Sequence, residues 1–131
     1  MTNQPHGPET TPGPDLPPGG PRPEPPAALT QTAESQASMD PQGALARLRE
    51  GNRRFVAGER AARDLRAQVQ VTSHGQHPFA IVLGCIDSRV PPEVIFDQGI
   101  GDIFTVRVAG NVVGPDQLGS MEFACKVAGA R

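Results

Sequence analysis

The stretch Phe79-Ala80-Ile81-Val82-Leu83-Gly84-Cys85-Ile86-Asp87-Ser88-Arg89-Val90, residues 79–90, decides how the rest of the chain is read. Its first six residues form an unbroken apolar run ending in glycine. Such a run reads as a strand buried on both faces, the pattern of a parallel sheet. In open parallel sheets, ligands bind beyond the carboxyl ends of the strands. Cys85, Asp87 and Arg89 follow there at alternate positions. If the chain stays extended, a period of two sends all three to one side. A thiolate is a soft ligand for zinc, and an arginine can clamp a carboxylate bidentately. Equally, Cys85 reads as a small buried residue at a strand end, and Asp87 with Arg89 as a structural ion pair.

Downstream, Pro91-Pro92 open a short helix through Phe96. Ile103–Val108 reads as a second strand, ending in Ala109-Gly110-Asn111. A last helix is expected from Gln117 to Ala128, with Leu118, Met121, Cys125 and Ala128 on one side and Cys125 in the core. Upstream, Asp40-Pro41 is an N-cap followed by proline at the first helical position. Leu45, Leu48, Phe55 and Val56 then recur at helical spacing, with Arg47, Arg49, Arg53 and Arg54 largely off that stripe, until Gly58. A second helix is expected from Asp64 to about Val71, with Leu65 and Val69 on one face. The segment His74-Gly75-Gln76-His77-Pro78 reads as a loop. The order ααβαβα gives an α/β fold with a parallel sheet and N-terminal helices.

The 131 residues carry 12 basic and 14 acidic side chains, net −2, with 15 prolines and two cysteines. Ten of those prolines fall within residues 1–26, whereas all five phenylalanines lie at or beyond Phe55. Residues 1–38 are therefore expected to be a disordered Pro/Gly-rich tail, and residues 39–131 to form the folded part; Met39 is an alternative first residue. About 93 residues make only a marginal core. No apolar run approaches the ~20 residues of a membrane span, which argues against a membrane protein. The N-terminus shows no secretory signal, and two cysteines forty residues apart make no disulfide framework, so a cytoplasmic location is expected. The arginines between Arg47 and Arg66 alternate with Glu50, Glu59 and Asp64, which reads as a solvated helical face rather than a nucleic-acid footprint.

Cys85-x-Asp87-Ser88-Arg89-Val90-x-x-Glu93, then Gly101-Asp102-x-Phe104-x-x-Arg107-x-Ala109-Gly110-Asn111, and Gly119-Ser120-x-Glu122-Phe123-Ala124 together resemble the β-class carbonic anhydrases. Gly51-Asn52-Arg53-Arg54-Phe55 resembles that family's N-terminal helix, so the likeness runs from Met39 to Arg131. The resemblance implies a zinc (Zn2+) enzyme that interconverts carbon dioxide and bicarbonate. It implies Cys85 as a zinc thiolate, and Asp87 with Arg89 as the catalytic dyad, Asp87 moving onto the metal in some members. Gln76 matches a substrate-binding glutamine. Phe104, Ala109 and Phe123 match the walls of the carbon dioxide pocket, Phe123 replacing a more usual tyrosine. Homodimers or higher oligomers are implied as well.

The family's remaining zinc ligands form a His-x-x-Cys pair after the next strand. No histidine occurs beyond His77, and the only later cysteine is Cys125. His74 and His77 precede the strand that Cys85 follows, about 20 Å away at ~3.3 Å per residue. The sequence thus reads as an incomplete, N-terminal half of the domain, inactive as given and poorly soluble in isolation. Two other readings stand beside it: a non-catalytic interaction or dimerisation fragment, and a same-fold hydrolase of carbon disulfide or carbonyl sulfide. A downstream reading frame carrying Gly-His-x-x-Cys would favour the truncated enzyme over the interaction fragment.

Overall fold

The computed structural model describes residues 30–131. Helix α1 spans Ala33–Ala37, and Thr32 caps it by accepting from the Ser35 N–H while Ser35 returns a bond. The Gln36 amide donates to the Pro78 carbonyl at 2.7 Å and to the Ala128 carbonyl at 2.8 Å. Order therefore reaches into the stretch expected to be a disordered tail. Composition missed it because α1 is tied down by hydrogen bonds, not by apolar burial. The remainder of that expectation, residues 1–29, lies outside the described residues.

Helix α2 runs Pro41–Ala57, capped by Asp40, which accepts from the Gly43 N–H, and closed by Gly58 in the left-handed region (φ 73°). Its packed face is not the stripe expected. Ala44 and Gly51 are buried, Leu48 packs partly, and Leu45, Phe55 and Val56 are exposed. The reason is a close approach: a Cβ on Gly51 would stand 1.8 Å from the Phe96 carbonyl oxygen. Small residues let the helix backbone touch the segment after α4, and that contact fixes which face turns inward. Helix α3 spans Leu65–Val71 behind its Asp64 cap. Here too the expected face differs, since Leu65 and Val69 are exposed and Gln68 is buried, its side chain accepting from the Ile100 N–H.

Strands β1 (Ala80–Gly84) and β2 (Ile103–Arg107) pair in parallel, Ala80 opposite Ile103 and Gly84 opposite Arg107. The one-turn helix α4 (Pro92–Ile95) lies in the crossover. Ala44, Phe79, Ala80 and Ile103 form the core, with Met39, Leu48 and Val82 packed against it. β1 is not buried on both faces as expected: only Ala80 is fully covered, and Ile81 to Gly84 are half-buried.

Helix α5 spans Pro115–Glu122 and widens into a π-turn over Phe123–Val127, where the Ala128 N–H reaches the Phe123 carbonyl. The wider turn breaks the 3.6-residue register. Ala124 is consequently the buried residue, while Leu118 and Cys125 are exposed, so the expected core role of Cys125 is corrected. The chain then returns to the sheet, the Arg131 N–H donating to the Phe79 carbonyl. Among the described residues no helix is long and apolar enough to cross a membrane.

The arginines of 47–66 are not simply solvated. Asp97, wholly buried at φ 47°, accepts from Arg54 Nε at 2.6 Å, Arg63 Nη1 at 2.5 Å and the Ala61 N–H at 3.2 Å. Asp102, also buried, accepts from Arg47 and from the Gly99 N–H. Arg47 lies 4.4 Å over the Phe79 ring. Arg54 and Arg63 thus tie α2 and the segment before α3 to the chain leaving α4. Arg53 with its partners Glu50 and Glu59 does form the solvated ion pairs the sequence suggests, and Arg54 also reaches Glu50 at 3.6 Å.

Candidate metal centre

Parallel register brings the carboxyl ends of β1 and β2 side by side, and the last ladder bond runs from the Val108 N–H to the Gly84 carbonyl. Beyond Gly84 the chain leaves the sheet. It does not stay extended through Arg89, as the period-of-two reading supposed. Asp87 instead opens a tight turn: its Oδ1 accepts from the Arg89 N–H at 3.0 Å, and its carbonyl accepts from the Val90 N–H. A short polar side chain that bonds the backbone two residues on is the usual chemistry of such a turn. The turn still unites the expected pair. Arg89 Nε donates to Asp87 Oδ1 at 3.0 Å and Nη2 to Oδ2 at 2.7 Å, a bidentate clamp.

Cys85 is half-buried at the start of this loop and its Sγ accepts from the Gly110 N–H at 3.4 Å. The donor comes from the turn Ala109–Asn111 after β2, in which Gly110 (φ 70°) and Asn111 (φ 56°) both take the left-handed region. Arg107 donates from Nε to the Cys85 carbonyl at 2.9 Å and from Nη2 to the Asp87 carbonyl at 2.7 Å.

These contacts set the charge states. The Gly110 N–H, aided by those of Asp87 and Ile86, holds the Cys85 thiol below its ordinary pKa, against desolvation and the Asp87 charge. Hydrogen bonds from Arg89 hold the Asp87 carboxyl below the usual carboxylate range, and the Arg107 charge adds to them. The same clamp raises Arg89. A thiol disposed to ionise and a fixed carboxylate therefore share one end of the sheet.

The other expected residues divide. Ala109 is exposed beside Gly110, at the Cys85 end. Phe104 and Phe123 do come together, but in a groove of about 680 Å³ between the sheet and α5, lined also by Ile81, Val106 and Ala124 and not by Cys85, Asp87 or Arg89. Gln76 is exposed at the opposite end of β1. Five strand residues at ~3.3 Å each separate it from the Cys85 end, so within one chain it does not meet that group. His74 and His77 precede β1 at that same far end. Sequence reasoning gave no role to Arg107 or Gly110. Their signals were a place in the motif that carries the family resemblance and position, Arg107 at the end of β2 and Gly110 just beyond it.

Tested against zinc, the donors fit as far as they go. An ionisable thiol and a carboxylate are ligands zinc accepts, and a tetrahedral site takes four. Among the described residues no group of three or more His, Cys, Asp and Glu side chains could hold a metal. The fit is thus to part of a centre.

Comparison with known proteins finds similarity to carbonic anhydrases. Residues 80–131 match the family model described as Carbonic anhydrase. Carbonic anhydrase 2 of Mycobacterium tuberculosis is 48% identical over 94 residues, covering 69% of this chain and 44% of that protein. The carbonic anhydrase of Mycolicibacterium smegmatis is 44% identical over 92 residues, with the same coverage of 69% and 44%. Among solved structures, the β-carbonic anhydrase CcaA is 30% identical, with a TM-score of 0.47 over 66% of this chain and 44% of that one. The chain spans less than half the length of the curated relatives it matches.

Proposed function

The chain carries part of a carbonic anhydrase domain of the β class, and on that premise we propose that it serves the reversible hydration of carbon dioxide to bicarbonate and a proton. The observation that supports this most is the convergence of the Cys85 sulfur and the Arg89-clamped Asp87 carboxylate beyond the paired strand ends. Cys85 and, in a rearranged state, Asp87 would hold zinc. When bound, zinc supplies the Lewis-acid chemistry that makes water a nucleophile at neutral pH.

The chain's own residues do the rest. The Gly110 N–H favours the thiolate that a metal needs. Arg89 keeps Asp87 ionised and oriented. Oδ1 already accepts two bonds, whereas Oδ2 accepts one and retains capacity for another, so the carboxylate can orient a water by accepting a hydrogen bond from it. Phe104 and Phe123 offer an apolar wall in the groove between the sheet and α5, and Ala109 a small exposed surface at the Cys85 end. Gln76, at the other end of β1, would serve such a centre only in a neighbouring copy, which accords with a homodimer or higher oligomer.

Among the described residues Cys85 and Asp87 are the donors at this site, fewer than the four ligands of a tetrahedral centre. The 131-residue polypeptide alone is therefore expected not to turn over carbon dioxide. Zinc titration with stopped-flow hydration tests both points. Zinc that binds the wild-type chain and slows Cys85 alkylation without turnover, with zinc binding lost in Cys85→Ser, is the supporting result. Zinc binding unchanged in Cys85→Ser would overturn the ligand assignment, and tight stoichiometric zinc with clear turnover by the wild-type chain would overturn the expected inactivity.

A further inference from the structure

We propose that Arg107 is a positioning residue that fixes the Cys85–Asp87 loop onto the sheet; its meaning for zinc rests on the function proposed above, while its geometry does not. Arg107 is the last residue of β2, in register with Gly84, the last residue of β1. At that point the two chains part. The carbonyls of Cys85 and Asp87 have left the ladder, and a single guanidinium takes both, Nε to Cys85 at 2.9 Å and Nη2 to Asp87 at 2.7 Å. Two bonds to carbonyls two residues apart set both the place and the direction of the backbone between them.

The loop has little else of this kind. Ile86, between the two carbonyls, is 60% exposed, so apolar packing does not hold it. The Asp87–Arg89 clamp and the Asp87–Val90 turn lie within the loop, and so shape it without seating it. The Gly110 N–H reaches the Cys85 sulfur, but at 3.4 Å to a weak acceptor. Arg107 is thus the principal polar tie between the candidate ligands and β2. Only arginine meets the requirement, because its rigid planar fork presents donors in two directions, whereas a lysine ammonium is a point charge on a flexible stem. The same bonds keep the Cys85 sulfur within reach of the Gly110 N–H, so Arg107 acts on the thiol through the backbone without touching it.

Arg107→Lys and Arg107→Ala in the 131-residue chain, prepared without metal, test the seating. Alkylation of Cys85 by iodoacetamide is read against Cys125 in the same molecule, together with exchange of the Gly110 amide. Cys125 is exposed on the π-turn and serves as the internal standard. Both variants should change the Cys85:Cys125 ratio several-fold and speed Gly110 exchange about tenfold, while the amides of β1 and β2 keep wild-type rates. Arg107→Lys retains the charge and guards against a variant that fails to fold. Ratios and Gly110 exchange within about twofold of wild type in both variants would overturn the proposal. So would Gly110 and ladder amides accelerating together, the signature of a merely structural arginine. Zinc added to the wild type is read separately. Failure to protect Cys85 there counts against the metal assignment and leaves the seating result standing, whereas protection whose zinc midpoint rises about tenfold in Arg107→Lys joins the two.

Discussion

Asp97 shows how one residue can carry more weight than its surroundings in the sequence suggest. Desolvation alone would push its carboxyl up, yet hydrogen bonds from Arg54, Arg63 and the Ala61 N–H outweigh it and hold the pKa below the ordinary value. A lowered folded-state pKa contributes stability that is present above the unfolded value of about 4 and is lost as pH falls through the folded one. The wild-type chain should therefore lose melting temperature between neutral and strongly acidic pH, with Asp97 contributing part of the slope. Asp97→Asn leaves two guanidinium groups without their anion. It is expected to cost about 3 kcal/mol at neutral pH and to flatten the acid limb. Chemical denaturation of both proteins at pH 7 and well below pH 4, at about pH 2, checks this, and equal stability losses at both pH values would refute it. None of this was readable beforehand, because Asp97 stands in a glycine-containing loop, Asp97-Gln98-Gly99-Ile100-Gly101-Asp102, with nothing local to mark it as buried.

At the scale of elements, caps and strand order were legible and faces were not. Asp40-Pro41 and Gly58 bound α2 where capping chemistry puts them. The inward face of α2 was set by Gly51 against Phe96 and not by its largest apolar side chains. Gly51→Ala should then be far costlier than a helix-propensity change, which alone would favour alanine by ~1 kcal/mol. A clash of this kind is expected to destabilise by about 1–3 kcal/mol, read as a lower denaturant midpoint. Leu45→Ala, on the exposed side, should change the midpoint little, within about 0.5 kcal/mol. A neutral Gly51→Ala would mean that α2 and α4 do not meet as described. The π-turn at Phe123–Val127 is the matching case in α5, since one extra residue in a turn moves Cys125 out of the core and Ala124 into it.

For the molecule as a whole, the described sheet has two strands, and large apolar side chains stand exposed around it: Phe123 at 54%, Val112 at 61%, Val127 at 71%. Exposed strand edges and contiguous apolar surface favour association. The 131-residue polypeptide is expected to self-associate as its concentration rises and to bind a hydrophobic dye. Sedimentation at increasing concentration tests this, and a monodisperse monomer with no dye binding would contradict it. Substituting Phe123→Asp should reduce association without altering the Cys85 loop, because that groove does not include Cys85, Asp87 or Arg89.

What the sequence determined by itself rests mainly on near neighbours: the capped ends of α2, the two strands as segments, and the Asp87–Arg89 pair, whose partners are two residues apart. The parallel order was legible from the crossover between the strands. Tertiary structure alone decided what depends on distant parts of the chain. It turned Ala44 and Gly51 inward, and it buried Asp97 under Arg54 and Arg63, some forty residues back. It also laid Arg107 and Gly110 against Cys85, more than twenty residues back, and parted Gln76 from that end of the sheet. The physical reason is that capping and turns are satisfied within a few residues, whereas a buried charge or a strand end takes whatever donor the packed chain brings beside it.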